Sequence, residues 1–245
     1  MGSDLKQTKH ERFMTAPHWA TPPHQPIISA PCFLDRAGER GFLNTILNAM
    51  EPMTLTDVEA VTALHISEIP SGILTEMGAD FLTLFYRQVV ADPLARGYVI
   101  RQGNTITGFI TGSIRPDIFF RHLFVRFFPR IAWIILKKGL TQPSFLPRFF
   151  QRVVANLRKE GMAESLSAAI AIAHKGKGYG VVFLKKLLDE FKRCGVTCVQ
   201  CDVAEKAGDP AIDSLHQMYQ KGGYQQIAVF QVGGITYRRY KRYLM

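Results

Sequence analysis

The chain has 245 residues, of which 47% are hydrophobic, and it carries 30 basic against 20 acidic residues for a net charge of +10. This apolar content excludes a disordered chain and suits one large domain with appendages or two very small domains. The basic excess is typical of a protein that meets nucleic acid, an anionic membrane surface or a phosphate-bearing ligand, and composition alone does not choose among these partners.

The N-terminal part of the chain lacks a periodic hydrophobic pattern. We predict a Pro-rich N-terminal lead-in at 1–48, with a short helix over about 36–50, and a compact domain at 49–245. The first twelve residues are polar, so no secretory signal is expected, and the setting is expected to be cytoplasmic with reduced cysteines. The prolines that interrupt regular structure in the lead-in are Pro17, Pro22, Pro23, Pro26 and Pro31.

The compact domain opens with two predicted helices and two predicted strands. An apolar stripe at helical spacing begins at Val58 and ends at Ile66. A second helix is predicted over 76–90. The strands cover 97–101 and 105–114, with a short hairpin turn between them.

Residues 115–160 form a basic, Phe-rich segment that we predict to be a helical insert. Up to residue 159 it holds eight phenylalanines and ten basic residues, with Asp117 as the only acid. Prolines divide it into two or three amphipathic helices. Three roles stay open: a lid over the binding site of an acceptor substrate, a surface that contacts an anionic membrane, and a structural or dimer surface. A nucleic-acid partner is not expected because no base-reading motif accompanies the charge, and the apolar run 131–136 is too short to span a bilayer.

The C-terminal part reads as a βαβ unit followed by a helix and a hairpin. A buried strand at 163–173 leads through the glycine-rich turn 174–180 into a helix at 181–194, and a second strand follows at 197–203. This order implies parallel strands joined by a right-handed crossover. The remaining predicted elements are a helix at 210–220 and strands at 225–232 and 235–240.

The glycine-rich turn carries the chemistry that the sequence reveals. Glycines allow positive φ and close approach of a ligand, and consecutive N–H groups at a helix start bind anions. A pyrophosphate fits such a nest, and Lys175 and Lys177 would add positive charge. The spacing matches neither the P-loop nor the dinucleotide-binding pattern.

Two motifs in this region resemble the GNAT (Gcn5-related N-acetyltransferase) superfamily. The strand, turn and helix are similar to its motif A, R/Q-x-x-G-x-G/A, with Lys175 at the Arg/Gln position and Gly178, Tyr179 and Gly180 at the rest. Residues 214–224 resemble its A-x-x-F-Y-x-x-x-G-F helix, with Tyr219 on the motif tyrosine. The family's usual asparagine is replaced by Ile212. The insert is similar to those of members associated with surface-polysaccharide synthesis.

The resemblance implies an α/β (α+β mixed sheet) GNAT acyl-CoA N-acyltransferase fold of six or seven strands, with the insert between strands 3 and 4. It also implies acetyl-CoA as cosubstrate. Main-chain amides of the strand would hold the acyl group and pantetheine, and those of the turn the pyrophosphate. The implied cofactor-binding residues are Ala168, Ala169, Ile170, Lys175, Gly176, Lys177, Gly178, Tyr179 and Gly180.

Two residues are candidates for catalysis by the same resemblance. Tyr219 would donate a proton to the leaving thiolate, and the alternative is a packed helix aromatic. Glu164, eleven residues before Lys175, would be the general base, and the alternative is an ordinary strand-end carboxylate. Glu68 and Asp202 are weaker candidates for the base.

The remaining histidines and cysteines are expected to be structural. Cys198 and Cys201 point to opposite faces of one strand, and no second ligand cluster suggests a metal. His65, His122, His174 and His216 are scattered along the chain, and each is expected to be a surface or helix-packing residue.

The predicted function is direct transfer of acetyl from acetyl-CoA to a primary amine, with an amino-sugar nucleotide as the first acceptor to test. A longer-chain or lipid-linked acyltransferase and a non-enzymatic CoA-binding or membrane-associated module stay open. So do a homodimer and a peripheral contact with the inner face of the membrane.

Overall fold

The computed structural model describes residues 37–70, 72–157, 162–205, 212–232 and 234–244. Much of the predicted lead-in, including Cys32, lies outside these ranges. The strands are β1 (Met50–Pro52), β2 (Ala95–Gln102), β3 (Thr105–Ser113), β4 (Ala163–Ile170), β5 (Cys198–Glu205), β6 (Gln225–Val232) and β7 (Ile235–Tyr243). The helices are α1 (Ala37–Asn48), α2 (Val58–Glu68), α3 (Ile73–Met77), α4 (Ala79–Ala91), α5 (Pro116–Arg126), α6 (Phe128–Thr141), α7 (Phe145–Leu157), α8 (Tyr179–Arg193) and α9 (Ile212–Lys221).

The seven described strands form one mixed sheet in the order β1-β2-β3-β4-β5-β7-β6. Every neighbouring pair is antiparallel except β4 and β5, which are parallel and joined through α8. The predicted mixed sheet and parallel βαβ unit are confirmed. The insert supplies α5, α6 and α7 between the third and fourth strands, as predicted.

Each face of the sheet is covered by its own hydrophobic core. Phe85 and Phe109 belong to the core beneath α2, α4 and the insert helices. Phe183 and Phe191 of α8 belong to the other core, which also takes in Ile46 of α1. Because Ile46 is only 4% exposed, the packed part of the chain begins before the predicted boundary at 49.

Two predicted elements have other boundaries in the structure than their hydrophobic patterns suggest. The helix predicted over 76–90 begins earlier and is broken at Gly78, whose φ of 90° does not continue a helix, so α3 and α4 are separate. The strand predicted to end at 173 ends at Ile170, because residues Ile172–His174 form a 3-10 turn. Small apolar residues such as those around 170–173 fit either conformation.

Glycines in β3 set how closely α8 approaches the sheet. A Cβ on Gly108 would lie 2.6 Å from the Phe183 ring, and one on Gly112 would lie 2.7 Å from the Phe191 ring and 2.9 Å from the Glu164 carbonyl oxygen. The absent side chains therefore let the two aromatic residues of α8 rest directly on the strand. This contact fixes the position of the helix whose N-terminus forms part of the site described below.

We predict that Gly112→Ala destabilises the fold. The added methyl meets both an aromatic ring and a backbone oxygen, so the free energy of unfolding should fall by about 1–3 kcal/mol. Urea denaturation measures this change. Gly41→Ala in α1 is the control, because nothing lies within 4 Å of its added methyl, and it should leave stability unchanged or raise it by up to about 1 kcal/mol. Equal stability of both variants would contradict the close contact.

Candidate active site

Strands β4 and β5 separate soon after they begin. They pair only at Ala163 with Val199 and at Glu164 with Gln200, whereas β4 stays paired with β3 up to Ile170. The register of that ladder shifts between Thr111 and Gly112, which marks a bulge in β4. In the described part of the chain, the edge of β4 that faces β5 therefore lacks ladder partners over residues 165–170. The gap between the two strands beyond their last paired residues is called the slot below.

The slot leads toward the N-terminus of α8. Gly176 and Gly178 have φ angles of 77° and 82°, a region that other residues rarely adopt. The first hydrogen bond of the helix runs from the Val182 N–H to the Gly178 carbonyl. The amides of residues 178–181 thus precede any intrahelical acceptor, and the helix dipole adds positive potential there. Free amides at a helix N-terminus can bind an anion, and this first turn of α8 with its preceding glycines is called the nest below.

The two lysines of the turn are placed differently. The Lys175 ammonium lies 2.7 Å from a Glu68 carboxylate oxygen, and the other oxygen of Glu68 accepts the Ile172 N–H at 3.1 Å. Lys175 therefore fastens the turn to α2 instead of standing alone beside the nest, and Glu68 is engaged as an anchor. Lys177 is exposed.

Helix α9 meets the start of α8 at the end of the slot. A Cβ on Gly180 would lie 2.7 Å from the Met218 sulfur and 3.9 Å from the end of the Ile170 side chain. The glycine at this position is therefore also required for packing α8 against α9. A large residue at Gly180 would disturb the fold as well as the nest.

Tyr219 lies on the inner side of α9 and is only 9% exposed. Its ring stacks on Tyr240 at 5.1 Å and meets Tyr224 edge-on at 5.3 Å. Burial, and then the nearby Cys201, hold the pKa of the Tyr219 phenol well above its usual value. The side chain is thus both a packed aromatic and a phenol that stays protonated at neutral pH.

Glu164 lies where β4 and β5 begin to separate. It is 5% exposed and is the register partner of Ser113 on one side and of Gln200 on the other. Gln200 is also buried, and its amide nitrogen has no hydrogen-bond partner among the described residues. These side chains lie on the sheet face opposite α8, because their neighbours Ala163 and Val199 belong to the core that contains α8.

An ion pair continues this polar row on the same face. Both carboxylate oxygens of Asp202 accept hydrogen bonds from Arg239, at 2.8 and 3.1 Å. Asp202 foremost, and Glu164 at longer range, raise the pKa of the Arg239 guanidinium. Asp202 is therefore engaged with Arg239, while Glu164 lies nearer the opening of the slot.

A buried hydrogen-bond chain that the sequence did not reveal runs from β4 to the segment before α3. The Thr75 hydroxyl donates to the Ile69 carbonyl at 2.6 Å, so it accepts the N–H of His65 Nε2 at 3.1 Å. His65 Nδ1 then accepts the hydroxyl proton of Tyr86. The Tyr86 oxygen in turn accepts the Ser167 hydroxyl at 3.1 Å.

Ser167 ties this chain to the bulge in β4. It is the register partner of Thr111, whose hydroxyl lies 2.9 Å from the Ser167 hydroxyl. The sequence places Ser167, Tyr86 and His65 far apart, and only their polar character within apolar segments hints at a common network. His65 was predicted to be a surface or helix-packing residue, and it is the buried centre of this chain, at 1% exposed.

The other histidines and the cysteines play separate parts. His122 contacts Asp92 at 2.8 Å, and His216 lies between Glu205 and the Tyr240 hydroxyl. Cys201 is buried, Cys198 is half-buried, and Cys194 is exposed. Among the described residues, no group of three or more His, Cys, Asp or Glu side chains could hold a metal ion.

Comparison with known proteins identifies the fold. No family model matches the sequence, and no curated protein is a recognisable relative. The structure is similar to a protein assigned to the GNAT family of acetyltransferases from Desulfovibrio desulfuricans, with a TM-score of 0.51 and 12% identity over 80% of this chain and 98% of that chain. It is also similar to an N-acetyltransferase from Staphylococcus aureus, with a TM-score of 0.50 and 14% identity over 80% and 98%. The predicted GNAT acyltransferase fold is confirmed.

Burial of His65 predicts a specific pH dependence of stability. Burial lowers its pKa from 6.5 to about 4. Between these values the unfolded chain binds a proton that the folded chain does not bind. The free energy of unfolding should therefore fall as the pH drops from 6.5 toward 4, by up to about 3 kcal/mol from this group.

His65→Gln removes this contribution. The variant should be less stable than the wild type at pH 7, and the gap should narrow by up to about 3 kcal/mol as the pH falls toward 4. Urea denaturation across this range measures the difference in free energy of unfolding between variant and wild type. Contributions from carboxylates cancel in that difference, because both proteins contain them. A constant gap for His65→Gln would contradict a buried, neutral imidazole.

Proposed function

We propose that this protein is an N-acetyltransferase that moves acetyl from acetyl-CoA directly to a primary amine. The observation that carries the proposal is the slot between β4 and β5, which leads to the glycine-rich N-terminus of α8. A strand edge, an anion nest and a buried carboxylate at the fork form one continuous arrangement. The fold similarity to acetyltransferases supports the same reaction.

The cosubstrate would bind through main-chain groups. Amides of Lys177, Gly178, Tyr179 and Gly180 would hold the pyrophosphate, because a helix N-terminus favours negative charge. The strand edge at Ala168, Ala169 and Ile170 would pair with the pantetheine amides as a neighbouring strand would. Binding by main-chain groups explains why Lys175 can be committed to Glu68 without loss of the nest.

Acetyl transfer replaces the thioester bond of acetyl-CoA with an amide bond to the amine. The amine nitrogen forms a bond to the acetyl carbonyl carbon, the carbon–sulfur bond breaks, and the amine loses a proton. Glu164 would accept that proton, directly or through a water, from the face that carries Gln200. Tyr219 would donate a hydrogen bond to the leaving thiolate. Its raised phenol pKa keeps the proton available but favours hydrogen bonding over complete transfer.

The acceptor site would lie on the sheet face opposite α8, beside Glu164. We keep an amino-sugar nucleotide as the first acceptor to test and include polyamines and peptide N-termini in the screen. The longer-chain alternative that the Phe-rich insert suggested is tested by competition, because a longer acyl-CoA should then bind in preference to acetyl-CoA. Phe119, Phe145 and Phe149 are at most 5% exposed and fill the core, whereas Phe128 and Phe150 are exposed by 66% and 56%.

The remaining alternative is a CoA-binding module without catalysis. It predicts that acetyl-CoA binds, that no amine in the screen is acetylated, and that Tyr219→Phe changes nothing. Calorimetric titration with acetyl-CoA, followed by the amine screen, separates this alternative from the enzyme. Failure of acetyl-CoA to bind the folded protein would remove both.

We predict that Lys177→Glu weakens acetyl-CoA binding. Reversing an exposed charge beside the pyrophosphate should raise the dissociation constant by about tenfold or more. Lys185→Glu is the matched control, since it makes the same change at an exposed position further along α8, and it should have a much smaller effect. Calorimetry measures both constants, and equal effects would place the pyrophosphate elsewhere.

We predict that Glu164→Gln slows acetyl transfer without weakening acetyl-CoA binding. Loss of a general base should lower kcat/KM for the amine by about 10²-fold or more at neutral pH. Glu59→Gln, at an exposed position of α2, is the control. An unchanged kcat/KM would exclude Glu164 as the base.

A further inference from the structure

Helix α6 presents a second apolar stripe that faces away from the core. Pro129, Trp133, Leu136 and Leu140 follow each other at spacings of four, three and four residues and therefore lie on one side of the helix. Trp133 is 66% exposed, Leu136 is 53% and Leu140 is 77%. This set is called the outer stripe below.

The side of α6 opposite the outer stripe makes the contacts that pack the helix against the core. Ile131 is buried in the core, and Ile134 and Ile135 pack against that core. At 100° per residue, these isoleucines lie roughly opposite the outer stripe. The outer stripe therefore cannot line the acceptor cleft from this helix, and the lid role that the sequence left open does not account for it.

Exposed apolar side chains are concentrated around the outer stripe. Twelve large hydrophobic residues are exposed in the described part of the chain, and six of them lie within residues 115–157. Besides the outer stripe, these include Val125 and Phe128 at the junction of α5 and α6, exposed by 74% and 66%. Such clustering marks an interaction surface, whereas single exposed hydrophobic residues do not.

The charge around the outer stripe is almost entirely positive. Residues 115–157 contain eight basic residues and one acid, Asp117, and Arg115 pairs with that acid at 2.8 Å. Arg130 and Lys137 are exposed on α6 beside the outer stripe, and Arg121 and Arg126 are exposed on α5. A partner that covers this surface must offer both an apolar region for the outer stripe and negative charge for the basic residues.

We propose that the outer stripe docks this protein onto an anionic lipid surface. Trp and Leu side chains would enter the interface between headgroups and acyl chains, and the flanking basic residues would contact lipid phosphates. A symmetric dimer through this surface would bring Arg130 and Lys137 of two copies together, which opposes association. Nucleic acid would satisfy the charge and leave the leucines in water.

The dimensions of α6 agree with a helix that lies in the interface. Its 14 residues extend about 21 Å, which is shorter than the roughly 30 Å hydrocarbon core of a bilayer. None of the helices described is long and apolar enough to cross a membrane. Docking would thus be peripheral and reversible, with the outer stripe parallel to the surface.

The test uses vesicles of phosphatidylcholine alone and of phosphatidylcholine mixed with phosphatidylserine. The chain contains two tryptophans, Trp19 and Trp133, so a Trp19→Phe protein reports only on the outer stripe. We expect co-sedimentation with the mixed vesicles and a blue shift of Trp133 emission. Binding should be at least about tenfold weaker on phosphatidylcholine alone or in high salt, which screens the basic residues.

Matched variants separate the apolar contribution of the outer stripe to vesicle binding from the electrostatic contribution of the basic residues. Leu136→Ser with Leu140→Ser, and separately Arg130→Glu with Lys137→Glu, should each weaken vesicle binding by about tenfold or more. Leu55→Ser and Lys185→Glu change exposed residues elsewhere and should have no effect. Thermal melting checks that every variant is folded, and acetyl-CoA titration should be unchanged in all except Lys185→Glu, which lies on α8.

Two outcomes would overturn the proposal. Vesicle binding that is absent, or equal in the wild type and both paired variants, would exclude lipid docking through α6. A dimer in sedimentation velocity that dissociates in the leucine variant would assign the outer stripe to a second copy of the chain instead. Neither outcome bears on acetyl transfer, which is measured without lipid.

Discussion

The separation of β4 from β5 is the constraint on which the rest of the structure depends. Two parallel strands that pair at only two positions leave a row of main-chain groups without ladder partners, and a protein interior tolerates such groups only where a ligand or water can reach them. The bulge opposite Thr111 and Gly112 bends β4 at this point. Both features leave backbone groups of β4 available to a ligand, which is the basis of the proposed cosubstrate site.

The two faces of the sheet carry different parts of the candidate site. On one face, α8 packs by its phenylalanines onto strand glycines and brings its N-terminus to the end of the slot. On the other face, polar side chains are buried in two sets, the row around Glu164 and the chain that ends at Ser167. Buried polar groups weaken a core unless they are satisfied. The chain from Thr75 to Thr111 meets that requirement, while the Gln200 amide does not meet it among the described residues.

Local patterns predicted most of the fold, because strands, turns and helices of this chain carry their own periodicity. The parallel unit, the final hairpin and the helical insert all follow from such patterns, and so do the positive φ angles in the glycine-rich turn. The break at Gly78 was missed because a single glycine does not by itself end a helical pattern. The end of β4 at Ile170 was missed because small apolar residues fit either conformation. The Lys175–Glu68 pair and the His65 chain were missed because they join residues that are distant in sequence. Pairing of that kind leaves no periodic signal.

The hydrogen-bond chain through His65 has a single direction. Each hydroxyl in it has one proton, and the Ile69 carbonyl can only accept, so the orientation of Thr75 fixes the tautomer of His65 and, through Tyr86, the orientation of Ser167. The chain therefore acts as one unit, because reversing any member would break the Thr75–Ile69 hydrogen bond at its end. Replacing Thr75 would therefore release the tautomer of His65 and, through Tyr86, the orientation of the Ser167 hydroxyl at the bulge of β4.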